Sequence, residues 1–177
     1  MTWVVIATGA SVSPALMQRV RHLPCLAVNN AWVDAPWSRA LVANDAAWWR
    51  LHPQALQFAG DKWCSSKVAG VGWLPPRRLC SSASNSGLRA LDLAIHHYGA
   101  TRVLLLGIDL TGPHYHPDHP APLGNPTAAR FALFHTQFAN YAREHLRGVE
   151  VLNCSPVSTL SCFPKCSLTD ALQEETV

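Results

Sequence analysis

Apolar residues in this chain fall in short unbroken runs, set between stretches of helical period. The run WVVIAT (3–8) is β-branched and continuous rather than alternating, which predicts a strand buried on both faces. CLAVNNAW (25–32) and RALVAND (39–45) predict two more strands, each ending in polar residues. KVAGVGWLP (67–75) predicts a short one and VEVLNCSP (149–156) the last, while TRVLLLGIDL (101–110), the most apolar, predicts the central strand. Ser13 as N-cap with Pro14 at the first helical position opens a helix over 13–23. AAWWRLHPQAL (46–56) predicts a short helix broken around Pro53. In SSASNSGLRALDLAIHHYGA (81–100), Leu88, Leu91, Ala94 and Ile95 recur at helical spacing and Gly99 closes the helix. PTAARFALFHTQFANYAREHL (126–146) puts Phe131, Phe134, Phe138 and Tyr141 on one face of a long helix. SLTDALQEET (167–176) predicts a short terminal helix.

The predicted order is β-α-β-β-(α)-β-α-β-loop-α-β. Such alternation predicts an α/β fold: a three-layer, Rossmann-like, mostly parallel sheet with helices on both faces. At 177 residues the chain is expected to form one domain over 1–177, with 111–127 a His/Pro-rich lid loop. A composition 49% apolar and 14% charged excludes a disordered chain. A formal charge of +3, with Arg19, Arg21, Arg77, Arg78 and Arg89 scattered, gives no nucleic-acid-binding stripe. The opening MTWVVIATGASVSP has no basic leader, and its apolar run is too short for a signal core or a membrane span. A cytoplasmic location is therefore expected. The six cysteines (Cys25, Cys64, Cys80, Cys154, Cys162, Cys166) include no C-x-x-C and read as reduced structural thiols.

In open parallel sheets, ligands bind beyond the carboxyl ends of the strands. The predicted strand ends carry Gly9 and Ser11, Asn29 and Asn30, Asn44 and Asp45, Asp109, and Asn153 with Ser155. Asparagines there read a base or a sugar by hydrogen bonds without adding charge. TGAS after the first strand and SNSG (Ser84, Asn85, Ser86, Gly87) before the best helix are two helix starts suited to a phosphate. Asp109 is placed to bind a metal, orient a ribose or brace the glycine turns. HYHPDHPAPLGNPT (114–127) holds His114, Tyr115, His116, Asp118 and His119 among prolines that stiffen it. Its histidines and Asp118, with Asp109, have the donors for a metal. Extended Pro-flanked backbone splays side chains, however, so a lid covering the substrate is the preferred reading. His135 falls off the Phe131–Phe138 stripe and is a candidate general base.

SNSGLRALDLAIHHYGATRVLLLGIDL resembles a signature shared by two groups. One is the bacterial lipooligosaccharide sialyltransferases, which use a cytidine-monophosphate sugar; the other is the archaeal-type 6-hydroxymethyl-dihydropterin diphosphokinases. ATGAS stands where the sialyltransferases have a nucleotide-holding Gly-Pro-Ser turn, and VNNAW where they have an Asn after the second strand. HTQFANYAREHLRGVEVLNCSPVSTL resembles their segment from the catalytic-base histidine to a Cys-Pro-Asn-Ser stretch. The resemblance thus implies a Rossmann-like fold, His135 as base, and Asn29, Asn44, Ser86 and Gly87 around a nucleotide. The tyrosines that assist the departing phosphate in that family have no equivalent offset, because Thr111 and Gly112 follow Leu110. Tyr115 is the substitute. The His-rich stretch, NPT and CFPK also resemble uncharacterised phage and prophage proteins of the superfamily, which implies the host cytoplasm.

The expected function is a nucleotide-dependent transferase, glycosyltransferase-like, with a nucleotide-sugar donor. His114, Tyr115, His116 and His119 would close over the donor and assist the leaving phosphate. Single displacement needs a base and leaving-group stabilisation but no metal. A pyrophosphokinase-like enzyme would need Mg²⁺, held by Asp109 and Asp118. A capture protein that binds the nucleotide without turnover is the other alternative. A third is an assembly protein, forming a homo-oligomer through Trp32, Trp37, Trp48, Trp49 and Trp63 as a partner surface.

Overall fold

The structure is a computed structural model that describes residues 1–74, 85–121 and 123–173. Its strands are β1 Thr2–Ile6, β2 Cys25–Val28, β3 Ala40–Val42, β4 Asp61–Cys64, β5 Gly72–Trp73, β6 Arg102–Leu106 and β7 Glu150–Asn153. The α-helices are α1 Pro14–Gln18, α2 Ala46–Leu51, α3 Ser86–His96, α4 Ala128–His145 and α5 Leu168–Gln173, with 3₁₀ turns at Asn29–Val33 and Pro53–Gln57. The strands form one sheet in the order β5-β4-β3-β2-β1-β6-β7, and every described pairing is parallel.

Strand alternation sorts the core into two layers. Trp3 and Val5 of β1, with Ala7 just beyond it, face α3 and α4, where Leu88, Leu91, Phe134, Phe138 and Tyr141 are buried. Val4 and Ile6 face the other way, toward Met17, Trp48, Trp49 and Leu168 of α1, α2 and α5. The result is the expected three-layer, Rossmann-like α/β fold. From β1 the chain builds outward through β2 to β5, then returns through α3 to place β6 on β1's other side. The strand order therefore reverses between β1 and β6, where a crevice opens at the carboxyl ends.

Three expectations about elements need correction. Strand β4 was not foreseen. Its sequence DKWC is half polar because Asp61, Lys62 and Trp63 are only half-buried near the sheet edge; pairing with β3, not hydrophobicity, makes it a strand. The central strand ends at Leu106 rather than 110, since Gly107 turns left-handed (φ 70°) and its N–H donates to Ser155 Oγ at 2.7 Å. Trp48 and Trp49 are not an exposed partner surface: each is 2% exposed. Their rings pack edge-to-face at 5.1 Å, and their indole N–H groups donate to Asn30 Oδ1 and the Ala43 carbonyl, both at 2.9 Å. Cys25, Cys64, Cys154, Cys162 and Cys166 are free thiols, and Cys80 lies outside the described residues. Among the described residues, no helix is long and apolar enough to cross a membrane.

Candidate functional site

A cleft of about 500 Å³ opens at the reversal point, within the ordinary range for small-ligand sites. Its base is made by Ala7–Gly9 beyond β1, Val28 and Asn29 at the end of β2, and Gly107–Leu110 beyond β6. Asn85–Gly87 at the start of α3 form one wall, and Thr127, Arg130, Phe131 and Phe134 of α4 another. Part of the His/Pro-rich segment, including His114, His119 and Asn125, also lines it. Asn29 (φ 48°) and Leu110 (φ 52°) are the non-glycine residues held in the left-handed region, and both line this cleft. Strained backbone of this kind concentrates at functional sites.

Of the residues expected from sequence, Gly9, Asn29, Asp45, Asn85, Ser86 and Gly87 come together here, as do Asp109, His114 and His119. Ser84 lies outside the described residues. Others are tied up elsewhere. Both Asp109 oxygens accept from Ser11, its N–H at 2.8 Å and its hydroxyl at 2.5 Å, while Gly9 N–H donates to the Gly107 carbonyl at 2.9 Å. The Gly9–Ser11 turn therefore gives these donors to the protein rather than to a phosphate, and Asp109 braces it. Asn44 is buried behind the site: its N–H donates to Ser86 Oγ at 3.0 Å, which ties the end of β3 to the start of α3. Asn30 accepts from Trp48 and stands 3.5 Å from His116 Nδ1. Tyr115 donates to Asp34 at 2.9 Å, and burial, followed by that carboxylate, pushes the phenol well above its ordinary range. Asn153 and Ser155 are buried and bond within the protein.

His135 stands apart from the cleft lining, with Nε2 2.9 Å from Thr159 Oγ1. That hydroxyl also reaches the Asp109 and Leu110 carbonyls at 3.3 and 3.2 Å. Helix geometry explains the misplacement. One step along α4 from Phe134 turns a side chain by about 100°, off the face that meets the cleft.

The imidazoles of the His-rich segment are gathered, not splayed. His114 and His116 stack at 4.8 Å between ring centroids with planes 6° apart, and His119 lies 5.4 and 5.1 Å from them. Burial and then the neighbouring histidines hold His119 down to about 4, and burial followed by His116 lowers His114. His52, at the end of α2, is lowered by burial and then by His116. Asp118 is exposed; it acts on His114 and His119 in the opposite sense. Among the described residues, no group of three or more His, Cys, Asp or Glu stands in a metal-holding arrangement.

No family model, curated protein or solved structure matches this chain. What the cleft can bind therefore follows from its own chemistry. The N–H groups of the first helical positions, Ser86 and Gly87, have no intrahelical acceptor, and the Asn85 side chain caps Leu88 N–H at 3.0 Å. A Cβ at Gly87 would lie 2.6 Å from Ile108 Cδ1, so the end of that side chain would have to shift. Thr127 caps α4 through Arg130 N–H at 3.3 Å. Thr127 and Arg130 were missed from sequence, although NPT followed by a helical stretch marks an N-cap. Thr8 was missed too, and no local pattern singles it out. Its carbonyl stands 3.2 Å from His114 Nδ1 and its hydroxyl 2.9 Å.

Proposed function

We propose that the cleft binds a nucleotide and that the protein is a nucleotide-dependent transferase, glycosyltransferase-like, taking a nucleotide-sugar donor. The observation that carries this reading is the opening of two helix N-termini, α3 and α4, onto one cleft at the strand-order reversal. Helix starts favour anions through unpaired N–H groups and the positive end of the dipole. The donor's phosphate belongs at Ser86 and Gly87, with Arg130 adding charge, and not at the Gly9–Ser11 turn. Asn29 and Asp45 face the same space and suit a base or ribose.

The proton acceptor is His114 rather than His135. In the tautomer that donates from Nδ1 to the Thr8 carbonyl and hydroxyl, at 3.2 and 2.9 Å, the His114 Nε2 lone pair is available to take a proton. Its lowered pKa keeps the ring neutral near pH 7, as a base must be. In a single displacement the acceptor hydroxyl gives its proton to Nε2 and its oxygen bonds the anomeric carbon. The bond from that carbon to the phosphate oxygen breaks, and the electron pair leaves with the nucleotide toward the helix starts. The Mg²⁺-dependent alternative fits less well, because Ser11 takes both Asp109 oxygens. Nucleotide capture without turnover is a second reading. It is favoured by the engagement of Tyr115 and His135 in bonds away from the cleft.

Titration with the common nucleoside monophosphates and nucleotide sugars, read by thermal shift and product formation, tests both readings. His114→Ala is expected to cut turnover by about 10²–10⁴-fold, the usual worth of a general base, with nucleotide affinity little changed. His135→Ala is expected to retain activity. Stabilisation by a nucleotide with no turnover of any conjugate leaves capture; no stabilisation by any nucleotide ends both readings.

A further inference from the structure

Four histidines from two parts of the chain meet beside the cleft, and their nitrogens are unusually placed. His116 Nε2, His119 Nδ1 and His52 Nε2 are each buried without a hydrogen-bond partner among the described residues. His116 Nδ1 lies 2.6 Å from the Pro117 carbonyl, so its proton sits there and Nε2 is a bare lone pair. The arm that carries three of these rings is held to the sheet by few bonds. Gly9 and His114 form an isolated antiparallel bridge, and Tyr115 N–H donates to the Thr8 carbonyl at 3.1 Å. Just before the arm stand Leu110 (φ 52°) and Gly112 (φ 65°), and a Cβ at Gly112 would touch nothing within 4 Å. Left-handed backbone thus stands next to an arm whose other ties are the side-chain bonds of His114 with Thr8 and of Tyr115 with Asp34.

We propose that the His114–His119 arm is a proton-operated lid: the uncharged imidazoles of His52, His114 and His119, gathered around the His116 ring, pack it shut over the cleft, and protonating them drives it open. A second proton on His114 or His119 makes a cation about 5 Å from the neighbouring rings, and on His119 it falls on a buried Nδ1 with no acceptor among the described residues. Opening returns each ring to water.

The surrounding charges do not offset this. Asp118 on the arm attracts the protonated rings but is exposed. Asp34, from the 29–33 turn, accepts from Tyr115, and Asp109 beyond β6 accepts from Ser11. Asp45 and Arg50 of α2 are exposed, and Arg130 of α4, on the cleft wall, adds a further positive charge. The packed state disfavours protons on His52, His114 and His119. Its hold on the arm is therefore full above the ordinary histidine value of 6.5 and fades as pH falls toward about 4. Nothing in this inference depends on what the cleft binds.

Hydrogen exchange expressed as protection factors, so that the intrinsic pH dependence drops out, tests it on the unliganded protein. Between about pH 7.5 and about pH 5, protection at Tyr115 is expected to fall by about tenfold or more while β1 and β6 keep theirs. Unchanged protection at Tyr115, or its loss together with the sheet, overturns the proposal. In the His116→Asn/His119→Gln variant, Tyr115 is expected to stay protected at the lower pH. A variant that opens as the wild type does shows that these rings are not the sensor. An independent check in the native chain is ring titration of His114 and His119 by NMR, whose midpoint is expected to coincide with the loss of Tyr115 protection. Midpoints more than about one pH unit apart overturn it as well.

Discussion

At the scale of single residues, Asp109 shows how a plausible ligand-binding group becomes a brace. It is 2% exposed at the base of the cleft, and its two oxygens are satisfied by the N–H and hydroxyl of Ser11. A buried carboxylate keeps its charge only while such donors remain. Ser11→Ala removes the hydroxyl donor and keeps the N–H. The expected cost is about 1–3 kcal/mol, read as a lower urea midpoint at neutral pH with an unchanged slope. Gly9→Ala is expected to destabilise further, because the added Cβ would stand 2.6 Å from the Gly107 carbonyl oxygen, which is backbone and cannot swing aside. A wild-type urea midpoint in Ser11→Ala would show that the brace holds nothing. The glycine turn and the aspartate are both readable in the sequence. Their bond is not, because it joins positions 98 apart along the chain.

At the scale of elements, legibility follows how a segment is stabilised. Strands β1, β2, β3 and β6 are covered on both faces, so their sequences are unbroken apolar runs and were found. Helix α3 was found from its spacing, yet Ser86 to Ile95 are all buried, more than one apolar stripe demands, since the helix lies against several central strands. Strand β4 escaped because its pairing, not its composition, fixes it. The His-rich arm was found as a stiff loop, but the direction of its side chains was misread, since proline fixes backbone angles without fixing where rings point. That arm has a measurable consequence for stability. His119 folds with its pKa at about 4, below the unfolded value of about 6.5, so the unfolded chain binds more protons between those limits. Stability is therefore full above pH 6.5 and is lost as pH falls toward 4. After allowance for the ring's partial exposure, His119 is expected to account for about 1–2 kcal/mol of that loss. His119→Gln is expected to flatten the decline, measured by chemical denaturation at several pH values. Parallel curves for variant and wild type would contradict it.

At the scale of the whole molecule, the sheet's strand order decides where a ligand can go, and the charge distribution decides how it is held. The reversal between β1 and β6 brings the starts of α3 and α4 to one rim, and that much of the site follows from reading strand ends. Rotation of α4 about its own axis does not, which is why Arg130 was missed and His135 was chosen. Among the described residues that line the cleft, the formally charged ones are Asp45, Asp109 and Arg130, and Asp109 is engaged with Ser11. The whole chain carries only +3. Long-range steering is accordingly weak, and an anion must be held by short-range contacts: helix N–H groups first, Arg130 second. Arg130 is exposed, so its removal should leave folding intact. Arg130→Ala is expected to weaken nucleoside-monophosphate binding by about fivefold, near 1 kcal/mol, at low salt with an unchanged melting temperature. Raising the salt should shrink that difference, because an exposed charge is screened over about 10 Å at 0.1 M whereas bonds to buried N–H groups are not. Asn85→Ala acts on the other contact. It uncaps α3 and is expected to weaken binding at every salt concentration, with a stability cost of about 1 kcal/mol. If nucleotide affinity instead collapsed with salt in both variants alike, general electrostatics would be holding the anion, and the paired helix starts would lose their place in the proposal.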